Sequence, residues 1–68
     1  MEKYDEIIKL LDEKSNKIKE NDLISYSEQS YVMFLIIKKM EKNYKSSGDL
    51  LMYHQALRSW MCEHVAMI

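Results

Sequence analysis

A chain of 68 residues with a net charge of -1 supports one small core, and it offers no global electrostatic case for nucleic acid or an anionic membrane. Apolar residues make up 47% and charged residues 31%, the mixture of a folded domain rather than a disordered one. Cys62 is the one cysteine, which excludes an internal disulfide and fits a reducing compartment.

The opening Met1-Glu2-Lys3-Tyr4-Asp5 is acidic and is followed by no apolar h-region or small-residue cleavage site. It therefore reads as the start of a cytoplasmic protein and not as a secretory signal. Nine lysines stand against one arginine, a bias typical of AT-rich coding. Proline is absent and Gly48 is the single glycine, so long helices joined by short connections are expected.

The first predicted helix spans about residues 2–20. Tyr4, Ile7, Ile8, Leu11 and Ile18 fall on one stripe of a 3.6-residue period. Ser15 interrupts that stripe, so the second half should be held less firmly. Asp5/Lys9 and Glu13/Lys17 are acid-before-base pairs four apart on the other face, which reads as solvated.

Asn21-Asp22 breaks the pattern, and Ser25 with Glu28 three residues on forms a capping box. The second helix is predicted over about residues 26–45. It carries the central apolar run, seven residues from 31 to 37, which is far short of the 20 or so a bilayer-spanning helix needs. Tyr26, Met33, Ile36, Ile37, Met40 and Tyr44 make its inward face, with Val32 and Phe34 on flanks that neighbouring helices can cover. Tyr31 and Leu35 point almost opposite, on the side of Lys38 and Lys42.

Ser46-Ser47-Gly48-Asp49 is the second break, with Gly48 supplying a left-handed stop and Ser47 or Asp49 a cap. The third helix is predicted over about residues 50–67. Leu50, Leu57, Met61 and Ile68 centre its stripe; His54 and Val65 flank one side, and Tyr53, Trp60 and His64 the other. Tyr53, Trp60 and Met67 also make a ridge at seven-residue spacing. Three amphipathic helices with two short connections give an all-α, antiparallel three-helix bundle, one domain over 1–68, as a monomer or as the protomer of a helical dimer.

Chemistry is sparse. His54 and His64 lie ten apart on one helix, roughly 15 Å along its axis, so they do not share a metal. Cys62 and His64, two apart, point to different faces, whereas helical ligand pairs want three or four. Cys62 lacks a neighbouring base or strained turn to activate it. Adjacent acids such as Asp5/Glu6 diverge around the helix. No catalytic, metal or cofactor residues are assigned, and an enzyme is not expected.

Two binding classes remain. Lys38, Lys39, Lys42 and Lys45 are a local cationic cluster that would contact phosphates with a steep salt dependence. Glu41 sits within it, however, and the would-be recognition helix opens Asp49-Leu50-Leu51-Met52, acid and grease where base readers belong. The stronger expectation is a protein-interaction module, a regulator, inhibitor or adaptor. Its contact face is Tyr31, Leu35, Lys38 and Lys42, and its partner is another protein, a second copy, or both. Large apolar residues on an unburied face mark such surfaces. Six methionines, adaptable at contact surfaces, point the same way.

Overall fold

The computed structural model describes residues 2–64. Among them are three helices, α1 (Glu2–Lys19), α2 (Tyr26–Ser47) and α3 (Leu50–His64), and no strand. Each helix packs on both others, giving a small all-α three-helix bundle in which α1 and α3 share the closest association. Val65, Met67 and Ile68, and the expected continuation of the third helix to 67, lie outside the described residues.

The connections follow from local chemistry. After α1, the Asn21 carboxamide accepts the Leu23 N–H at 3.0 Å, a side-chain turn that reverses the chain. The capping box then starts α2. Ser25 Oγ accepts the Glu28 N–H at 3.2 Å, and Glu28 Oε1 accepts the Ser25 N–H at 3.3 Å. At the far end Gly48 takes φ 85°. Its N–H and that of Asp49 close on the Lys45 and Tyr44 carbonyls at 3.2 and 2.8 Å. This stop leaves α2 running two residues beyond its expected end at 45. The Asp49 carbonyl then accepts the Tyr53 N–H, the first turn of α3.

The core is Ile7 and Leu11 of α1, Met40 of α2, and Tyr53, Ala56 and Trp60 of α3. Tyr4, Ile8, Met33, Ile36, Ile37, Tyr44 and Leu57 pack against it half-buried. The α1 stripe is therefore where the spacing placed it. The α3 stripe is not. Its centre is Tyr53, Ala56 and Trp60, about a quarter turn from the predicted Leu57–Met61 line. Met61 is 37% exposed, and the two aromatics expected on the flank are the centre. Ala56 is why. A methyl side chain lets α1 and α2 approach, and the large rings on either side fill the space this leaves.

A second correction concerns Tyr26, expected to face inward but 83% exposed. α2 has 22 residues, about 33 Å of helix, and the molecule is 36 Å long. The first turn of α2 thus stands at the edge of the packed layer. Tyr26 lines the mouth of a cleft of about 110 Å³ with Ser15, Ile18, Met33, Trp60 and His64. Ser15, which interrupts the α1 stripe, is part of that lining.

Polar ties fix α1 alongside α3. Lys3 Nζ meets Asp49 Oδ2 at 2.8 Å at one end. That contact holds the Asp49 carboxyl below its usual range and the Lys3 ammonium above its own. Further along, the Trp60 indole N–H donates to Asp12 Oδ1 at 2.7 Å, and His64 Nε2 lies 3.2 Å from the same oxygen.

Candidate interaction surface

The residues expected to form a contact face come together on the outward side of α2. Tyr31 is 63% exposed and Leu35 48%, with Lys38 and Lys42 exposed beyond them. Geometry requires this grouping. At 100° per residue Tyr31 and Lys38 lie about 180° and 160° from the buried Met40, so the core cannot reach them. α1 does not fold over this side.

Phe34 lies on a flank that a neighbouring helix can cover, but none does: it is 51% exposed and belongs to the patch. Lys38 Nζ sits 5.7 Å from the centre of its ring, a cation–π contact that holds the lysine stem along the apolar surface. Phe34 follows Tyr31 by three residues and precedes Lys38 by four, so the helical spacing that grouped Tyr31 with Leu35 admits it equally. Val32, on the opposite flank, is half-buried as expected.

Other exposed apolar side chains are scattered. Leu23, 94% exposed, is in the first connection, and Leu51, 73% exposed, is in the first turn of α3. Single exposed apolar residues are ordinary on protein surfaces. Among the described residues, only on α2 do three large ones, Tyr31, Phe34 and Leu35, share a face within two helical turns.

Both histidines are engaged by neighbouring side chains. His54 Nε2 lies 3.1 Å from Glu41 Oε2, which ties the one acid of the lysine cluster to α3. The His64 ring stacks on Trp60 at 5.0 Å and 13°, and its Nδ1 lies 3.0 Å from the Trp60 carbonyl oxygen. Cys62 is exposed and lines an open dish on α3 with His54, Leu57, Arg58 and Met61. Tyr44 stacks on Tyr53 at 5.1 Å, and burial raises the phenol of each.

No family model, curated protein or solved structure matches the chain. Among the described residues no helix is long and apolar enough to cross a membrane.

Proposed function

We propose that this domain acts by binding protein, as a small regulator, inhibitor or adaptor, and that the outward face of α2 is its contact surface. One observation carries this: Tyr31, Phe34 and Leu35 are all about half exposed or more, side by side, on the face farthest from the core. Burying a fully exposed side chain of this size is worth about 1.5–3 kcal/mol, so covering what remains exposed of each would gain roughly half of that. An apolar centre with Lys38 and Lys42 at its border has the anatomy of a contact surface, and Tyr31 and Phe34 are the residue types that dominate such contacts.

The test is affinity capture from the native host with the wild-type chain, with Leu35→Glu and with Lys17→Glu as a surface control. A carboxylate at position 35 costs little on a solvated face, but an interface must desolvate it. Proteins retained by the wild type and the control should be lost with Leu35→Glu, at unchanged helical circular dichroism. Equal retention by all three would place the contact elsewhere. Retained material that is nucleic acid, released steeply by salt, would favour phosphate binding by the lysine cluster instead.

A further inference from the structure

We infer that one occupant of this face is a second copy of the chain, packed antiparallel along α2, which rests on the proposed contact role of that face. Glu28, Tyr31, Leu35, Lys38 and Lys42 are all exposed, and they alternate in steps of three, four, three and four. That is the seam spacing of two helices wound around each other. The buried side of α2 does not contain them, so this helix carries two seams, one for its own bundle and one unused.

Charge decides what fits the second seam. Its N-terminal end is acidic at Glu28, its centre is Tyr31 and Leu35, and its C-terminal end is basic at Lys38 and Lys42. A parallel copy would set each lysine against its counterpart and Glu28 against Glu28. An antiparallel copy reverses the polarity. With the twofold axis between Tyr31 and Leu35, Tyr31 meets Leu35 of the second copy and Leu35 meets its Tyr31. Glu28 then meets Lys38 of the second copy, and Lys38 meets its Glu28. Both apolar layers are closed at both ends by opposite charges, and Phe34 approaches its own counterpart beside the axis. The face is complementary to itself in one orientation only, as a twofold interface requires. Glu28 keeps its capping role, since the bond from the Ser25 N–H occupies one of two carboxylate oxygens.

The pairing is testable by charge exchange in sedimentation equilibrium of the full chain. The wild type should dimerise reversibly. Glu28→Lys alone and Lys38→Glu alone each set like charges at both ends of the seam and should raise the dissociation constant by about tenfold or more. An equimolar mixture of the two variants places lysine against glutamate at every end and should restore association close to wild type. Position 38 has no capping role, so the Lys38→Glu result stands even if Glu28→Lys lowers helicity. Glu28→Gln keeps a capping side chain and should weaken the dimer less than Glu28→Lys. A wild type that stays monomeric across the accessible concentration range overturns self-association, while the Leu35→Glu capture still tests the face for other proteins. A dimer indifferent to both substitutions, or a mixture no tighter than its parts, overturns the antiparallel pairing.

Discussion

The Tyr53 phenol, from the first turn of α3, donates a hydrogen bond of 2.7 Å to the backbone carbonyl of Ile37 in the middle of α2. Tyr53 is fully buried, yet its one polar atom is satisfied, because that carbonyl has a second lone pair beyond its helical bond. The same burial pushes the phenol up to about 12, with Glu41 and Tyr44 adding to the effect. An unfolded tyrosine titrates near 10. The fold therefore favours the protonated phenol, and its contribution is fully present below pH about 10 and is lost as pH rises towards about 12. Tyr53→Phe keeps the ring but removes the bond. It should lower stability by about 0.5–1.5 kcal/mol at neutral pH. Thermal melts of both forms should show the gap closing as pH climbs through that window. A gap that widened would reverse the sign of the coupling.

The core gives a graded set of outcomes. Leu11→Ala and Ile7→Ala should each cost about 2–5 kcal/mol, enough to threaten a domain whose whole stability is of that order. Leu57→Ala should cost less, because Leu57 is only half-buried. Lys17→Ala should cost well under 1 kcal/mol. The rotated α3 stripe has its own signature. Ala56→Leu adds apolar surface, but at a fully buried position it should destabilise by about 1–3 kcal/mol through overpacking. Denaturant melts rank all five, and a neutral Ala56→Leu would contradict the rotation.

Asp12 serves two α3 side chains at one oxygen, and its variants separate them. Asp12→Ala leaves the indole N–H of Trp60, a residue only 3% exposed, without its acceptor, at a cost of about 1–3 kcal/mol. Asp12→Asn retains a carbonyl acceptor for that N–H and removes only the charge facing His64, so its cost should be smaller. Equal losses in chemical denaturation would mean that the indole bond contributes little.

Both ends of α2 are set by single residues. Ser25→Ala removes half the capping box and should cost about 1 kcal/mol. Gly48→Ala should cost about 1–2 kcal/mol from backbone strain alone, since φ is +85° and an added Cβ meets nothing within 4 Å. An Asn at position 48, which tolerates the left-handed region, should recover part of that loss in the same melts.

The bundle was legible because its signals are local. The α1 stripe, the Ser25–Glu28 box and the Gly48 stop each depend on residues within one or two turns of each other. The rotation of α3 was not, because Leu57 and Met61 outrank Tyr53 and Trp60 in apolar character and Ala56 carries little weight in a periodicity. The two aromatics beside Ala56 are also satisfied by acceptors 16 and 48 residues away, the Ile37 carbonyl and Asp12. No spacing along one helix reveals those. The outward face of α2 was readable for the opposite reason. Tyr31 and Leu35 lie opposite Met40 on the same helix, whatever packs there. Phe34 was not readable in the same way, because a flank is covered only if a neighbour reaches it.

Backbone amide shifts, recorded on dilution of the free chain and on addition of a captured partner, test the contact face most directly. The changes should cluster on the outward positions of α2, at Glu28, Tyr31, Phe34, Leu35, Lys38 and Lys42, while the amides of Ile7, Leu11 and Ala56 stay fixed. Changes confined to the α3 surface around Leu51, His54 and Arg58, with the outward face of α2 silent in both series, would contradict the account.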